Sequence, residues 1–144
     1  MNVRLALPTE SNLLFHIDHA QPFSAHWSAD NWLAELAQPA AHVWAAYIDE
    51  RMVGFVCTRG AVDQYEITNL AVDPAHMRQG VGRSMLEYVF EQLKTMGGAQ
   101  VTLEVSAANK PACCLYQACA MNVVGVREKF YADGTDALIM GKRL

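Results

Sequence analysis

Between Asn69 and Arg83 the chain gathers residues suited to gripping an anion. The apolar run Asn69-Leu70-Ala71-Val72 stops at Asp73-Pro74, a short connector follows, and Gly80-Val81-Gly82 opens directly into an amphipathic helix. Glycine lacks a Cβ, so the backbone there can curl tightly and approach a ligand closely. Free N–H groups of the turn and of the first helical turn then point outward beside the positive end of the helix dipole, an arrangement that binds phosphates. A turn this short suits one pyrophosphate. It lacks the third glycine of the dinucleotide fingerprint, and no Gly-Lys-Ser/Thr follows. Two side chains further on carry titratable groups. Glu104 lies on the polar side of the alternating run Val101-Thr102-Leu103-Glu104-Val105, and Tyr116 follows it by twelve residues, on the apolar stripe of a helix. Taken alone, each has an ordinary reading, as a solvated surface carboxylate and as a packed tyrosine.

The elements that must position these groups follow from periodicity. Asn2–Leu7 alternates as a strand, and Pro8-Thr9 starts a helix that runs to about Ala20. Ser28 caps a second helix carrying Trp32, Leu33 and Leu36, which Pro39 ends. Val43–Ile48 and Met52–Thr58 form a hairpin about Asp49-Glu50-Arg51, and Tyr65–Val72 forms the next strand. After the glycine turn, Met85, Leu86, Val89, Phe90, Leu93 and Met96 recur at helical spacing until Gly97-Gly98. Val101–Val105 is a strand, and Pro111 sits in the first turn of a last helix. Strands near Val123–Phe130 and Ala137–Lys142 flank a turn at Asp133-Gly134. The expected order is β-α-α-β-β-β-α-β-α-β-β, an α/β (α+β) mixed sheet with helices on both faces.

At 144 residues, 52% hydrophobic and 18% charged, the chain is expected to form one domain over 1–144 with a real core. No apolar run reaches the ~18–20 residues of a membrane span, and the N-terminus lacks the pattern of a secretory signal, so a cytoplasmic location and no membrane partner are expected. A net charge of −4 gives no electrostatic footprint for nucleic acid, while a mildly acidic surface tolerates a basic protein. Cys57, Cys113, Cys114 and Cys119 have no metal-ligand spacing and are read as small buried hydrophobes. His16, His19 and His26 form no metal set with Asp18, so no metal is expected, and Trp27, Trp32 and Trp44 are read as packing residues.

The element order, with the glycine turn after the fourth strand, resembles the Gcn5-related N-acetyltransferase (GNAT) superfamily over essentially the whole chain. Within it the C-terminal half is similar to the RimI type, bacterial enzymes that acetylate the N-terminal alanine of a small-subunit ribosomal protein. Asn69–Pro74, Arg78–Arg83, Leu103-Glu104-Val105, Asn109, Leu115-Tyr116 and Asp136–Met140 carry the resemblance, in order and at the family's spacing. It implies a GNAT acyl-CoA N-acyltransferase fold with acetyl-CoA as co-substrate between the Leu70–Val72 and Glu104 strands. Backbone groups of Leu70, Ala71 and Val72 would hold the acetyl group and pantetheine. Those of Arg78, Gln79, Gly80, Val81, Gly82 and Arg83 would cradle the pyrophosphate, and Asn109 would bond the pantetheine, cap its helix, or both. Two positions depart from the family pattern: Met77 stands where Gln or Arg is usual, and Ala120-Met121 where Gly-Phe is usual. The first removes a side-chain contact; the second costs about 1 kcal/mol if Ala120 adopts a left-handed conformation.

The resemblance also implies Glu104 as proton acceptor and Tyr116 as donor to the departing thiolate. Glu66, five residues before Ala71, is the rival base or a substrate-orienting carboxylate, and Tyr131 would border the peptide entrance. In RimI-like chains that entrance is shaped by the Tyr131 loop and by the loop between the first two helices. The implied activity is acetylation of a protein N-terminus, that of a basic ribosomal protein, by direct attack of the amine on the thioester. Neither Cys113 nor Cys114 would be a nucleophile. An α-amine, with a reference pKa of about 8 against about 10.4 for lysine, needs only light help from a base. Acetylation of a lysine, polyamine or small-molecule amine, or a non-catalytic CoA-binding module, are the alternatives. A monomer or weak dimer is expected.

Overall fold

The computed structural model describes residues 1–144 and contains seven strands and four α-helices in the expected order. They are β1 (Asn2–Leu5), α1 (Ser11–His19), α2 (Ala29–Ala37), β2 (Ala41–Ile48), β3 (Arg51–Ala61), β4 (Gln64–Val72), α3 (Val81–Thr95), β5 (Gln100–Ser106), α4 (Lys110–Ala118), β6 (Asn122–Arg127) and β7 (Ala137–Arg143). Two features were not expected: Pro8–Glu10 and Pro74–His76 are single 3₁₀ turns. The first shortens β1 and delays α1. In the second, Asp73 accepts a bond from the Ala75 N–H, turning the connector before the glycines. β6 also stops three residues early, because Lys129 has φ +50° and its N–H is held by Asp136 at 2.9 Å.

The sheet runs β1-β2-β3-β4-β5-β7-β6, antiparallel except for the β4–β5 pair, whose parallel crossover α3 supplies. That pairing extends only from Gln64↔Gln100 to Ile67↔Leu103. Beyond it β4 stays bonded to β3 as far as Val72, and β5 stays bonded to β7 as far as Ser106, so the two strands part and leave a wedge. The register of β4 on β3 slips where they part: Cys57 faces Asn69 but Thr58 faces Ile67, which leaves Thr68 unmatched. A bulge of this kind bends its strand and sharpens its twist, which steers β4 away from β5.

Each sheet face has its own core. On one, Met85, Leu86 and Val89 of α3, Tyr116 of α4 and Met121 just beyond it pack against Val53, Val101 and Leu103. On the other, Leu14, Ile17 and Trp32 of α1 and α2 pack on Phe55, Cys57 and Ala71. Alternation therefore assigns sides within the wedge. Leu70 and Val72 pack with the α3 core while Ala71 packs with the α1/α2 core. Leu103 and Val105 belong to the α3 core, which puts Glu104 on the opposite face. The tryptophans pack as expected: Trp32 and Trp44 are buried, and Trp27 stacks edge-on against Trp32. Cys57, Cys113 and Cys119 are buried, whereas Cys114, on the outer side of α4, is exposed and departs from that expectation.

Candidate active site

The wedge is the floor of a cleft of about 760 Å³, within the range of small-ligand sites. One end is formed by the glycine turn. Gly80 caps α3 with φ +79°, a conformation natural to glycine, and Arg78 before it also lies in the left-handed region. Gly82 serves a different purpose: a Cβ there would come within 3.0 Å of Leu115 Cδ2, so its absence lets α4 close onto the start of α3. Arg78, Gly80, Val81, Gly82 and Arg83 all border the cleft. Gln79 does not; its side chain turns back toward the Ala75 carbonyl at 3.5 Å. Arg83 reaches along its helix to Glu87 at 2.9 Å.

Leu70, Ala71 and Val72 line the middle of the cleft along the unpaired edge of β4. The Val72 carbonyl accepts a bond of 2.5 Å from Gln21 Nε2, which also contacts Met77 Sδ at 3.6 Å. Gln21 thus meets the residue that replaces the family's usual polar side chain, a role that no sequence pattern announced. Asn109 borders the cleft and caps α4, accepting from Ala112 N–H at 3.3 Å, so its two readings are compatible.

Glu104 and Tyr116 also line the cleft, from opposite faces of the sheet. The Glu104 carboxylate pairs with Arg127 of β6 at 3.1 Å, and that guanidinium also lies over the Phe130 ring. The pairing was not foreseen, because it joins strands that meet only through β7. Tyr116 is 7% exposed. Burial first, then the neighbouring Cys113 and Cys119, raise its phenol above the usual range, so it holds its proton. Burial likewise pushes the Cys113 thiol up, the wrong direction for a thiolate nucleophile.

The outer wall comes from two loops. Gln21–Ala25, between α1 and α2, and Tyr131 with Asp133, between β6 and β7, border the cleft. Burial and the nearby Glu104 charge both raise the Tyr131 phenol. The first loop is stapled by the fully buried Asp18, which accepts from His26 N–H (2.9 Å), Trp27 N–H (2.8 Å) and Trp32 Nε1–H (3.2 Å). Glu66 is not brought to the cleft. It borders a separate hollow with Arg59 and Thr102, because at Glu66↔Thr102 the strands are still paired and the wedge has not opened. No group of three or more His, Cys, Asp or Glu side chains is arranged to hold a metal ion, and no helix is long and apolar enough to cross a membrane.

The chain matches the family model described as Acetyltransferase (GNAT) family over residues 11–121. It is 39% identical over 95 residues to the ribosomal protein bS18-alanine N-acetyltransferase of Salmonella typhimurium, a match that spans 64% of this chain and 64% of that relative, slightly under two thirds of its length. To the N-alpha-acetyltransferase RimI of Mycobacterium tuberculosis it is 33% identical over 119 residues, 79% of this chain and 73% of that one. The crystal structure of the ribosomal-protein-S18-alanine N-acetyltransferase from Escherichia coli superposes with a TM-score of 0.88 at 28% identity, covering 99% of this chain and 92% of that chain.

Proposed function

The chain belongs to the GNAT acetyltransferase family, and from that premise we propose that it transfers acetyl from acetyl-CoA to a protein N-terminal α-amine. By analogy with the relatives' named activity, the acceptor is an alanine-starting ribosomal protein, which would put the reaction in the cytoplasm. One observation carries the reading: Glu104 and Tyr116 face one cleft from opposite sides of the parted β4 and β5. An amine arriving on the α1/α2 face meets a carboxylate, and a thiolate leaving toward the α3/α4 face meets a phenol.

In the proposed reaction acetyl-CoA lies in the wedge, with its pyrophosphate at the turn through Gly80 and Gly82 and its pantetheine along Leu70–Val72. The neutral amine attacks the thioester carbonyl carbon, forming the C–N bond. Glu104 accepts the proton the amine loses, the C–S bond breaks, and the Tyr116 hydroxyl donates a proton to the thiolate. A free thiol has a reference pKa of about 8.5, so the thiolate is a fair leaving group that needs only modest help from a proton donor. No acyl-enzyme forms, in keeping with the raised Cys113 thiol.

The test is acetyl-CoA turnover with a peptide copying the alanine start of ribosomal protein bS18, beside the same peptide N-terminally blocked. The free peptide should gain one acetyl group at its first residue by mass spectrometry and the blocked one none. Equal labelling of both would move the acceptor to a side chain. Labelling of neither would remove the catalytic reading.

A further inference from the structure

Three buried side-chain polar atoms have no hydrogen-bond partner: His42 Nδ1, His76 Nδ1 and Asn69 Nδ2. His42 lies stacked on Trp44, and His76 has the Asp73 carboxylate 3.8 Å away. Asn69 has neither excuse. It is 5% exposed, it borders the cleft, and it sits on β4 just past the point where the strands part.

The orientation of its amide is set by its neighbour. Asn69 Oδ1 accepts from the Ala25 N–H at 3.1 Å, in the loop that walls the cleft. Turning the amide over would face one donor with another, so the NH₂ group is the end left without a partner. A buried donor in that state costs free energy until something accepts from it. Asn69 shares the α1/α2 face with Ala71 and Glu104, the face by which the amine would enter. On that face the cleft would hold the acceptor, so the partner open to Nδ2 there is an oxygen of the acceptor. An α-amine of a peptide carries a carbonyl oxygen one carbon beyond its own Cα; a lysine ε-amine or a polyamine carries none near its nitrogen.

We infer that Asn69 is a specificity-determining residue whose Nδ2 donates to the carbonyl oxygen of the acceptor's first residue, selecting peptide α-amines over side-chain and polyamine nitrogens. This rests on the reading of the cleft as a peptide N-acetylation site. A site built to bond a particular group discriminates against analogues that lack it, because its own donor is then left unpaired. By holding Ala25 with its other end, Asn69 also ties the loop wall to the strand that presents it.

Calorimetric titration of the CoA-saturated protein tests the inference without relying on turnover. The probes are the alanine-starting peptide and an isostere in which an alkene replaces the first peptide group. The wild-type protein should bind the peptide at least about 10-fold more tightly than the isostere. Asn69→Asp keeps an acceptor for the Ala25 N–H and removes the donor; any attraction of its charge for the ammonium is common to both probes and cancels in the ratio. That ratio should fall to within about two-fold of unity, and Asn69→Leu should do the same if it retains CoA binding. An unchanged ratio in Asn69→Asp, a wild-type ratio near one, or no peptide binding would overturn the inference. Acetylation of the same peptide is scored separately. Absent turnover with the binding ratio intact removes the catalytic reading alone, and turnover without the ratio removes the Asn69 subsite alone.

Discussion

Tyr116 holds its proton because burial opposes the phenolate, and the two ionisable groups that act on it, Cys113 and Cys119, are thiols that offer it no positive charge. In its proposed role as acid to the leaving thiolate, burial keeps the phenol protonated while weakening it as a donor. The phenol is neutral when protonated, and a raised value keeps it so beyond the usual range of about 10. Two outcomes follow. Tyr116→Phe should lower kcat about 10²-fold while the KM for acetyl-CoA stays within about two-fold, since only the proton donor is lost. In the wild type, kcat should not fall between pH 7 and about 9.5, and an alkaline limb inside that window which Tyr116→Phe abolishes would contradict the raised phenol. The place of Glu104 and Tyr116 at the cleft was legible in the chain because each stands at a family spacing and on a definite side of its element. Arg127 and Gln21 could not: their contacts, to Glu104 and to the Val72 carbonyl, cross elements with no local pattern to link them.

Helix ends show how one departure from the family pattern is absorbed. At the end of α3, Gly97 takes φ +92°, and Gly98 N–H reaches the Leu93 carbonyl at 2.8 Å. The end of α4 is built the same way: Met121 N–H bonds to Tyr116 O and Ala120 N–H to Gln117 O, both at 3.0 Å, but the left-handed position is held by Ala120 at φ +64°. The expected strain is therefore present, and buried Met121 secures the motif against the α3 core. Ala120→Gly should raise stability by about 0.5–1 kcal/mol, because relief of the left-handed alanine outweighs glycine's greater freedom when unfolded. Urea unfolding would show this as a higher midpoint at unchanged slope; a lower midpoint would mean that the alanine is not strained. Order and type of the elements were readable because apolar spacing of two or near four residues is local. The 3₁₀ turns and the early end of β6 were not, since they rest on single bonds such as the one the Lys129 N–H donates to the Asp136 side chain.

Across the whole molecule, the cleft exists because β4 and β5 each keep an outer partner while losing one another. Their facing edges are left with backbone groups that a ligand can satisfy. Acetyl-CoA at about 100 times its Kd should stabilise the protein by about 2.7 kcal/mol, seen as a Tm higher by roughly 7–10 °C for a chain of this size. The gain should shrink in Gly80→Val, where a β-branched residue is forced to φ +79°; full retention there would separate the glycine turn from the cofactor. The amino-acid sequence by itself determined the run of strands and helices, the glycine turn and the sides on which Glu104 and Tyr116 lie, because periodicity and chain stereochemistry act over a few residues. Tertiary structure alone decided where the sheet opens. The slip at Thr68 and the loss of pairing after Ile67↔Leu103 are bonds between segments distant in the chain, and they leave Glu66 where the strands are still closed while bringing Asn69, Glu104 and Tyr116 to one cleft.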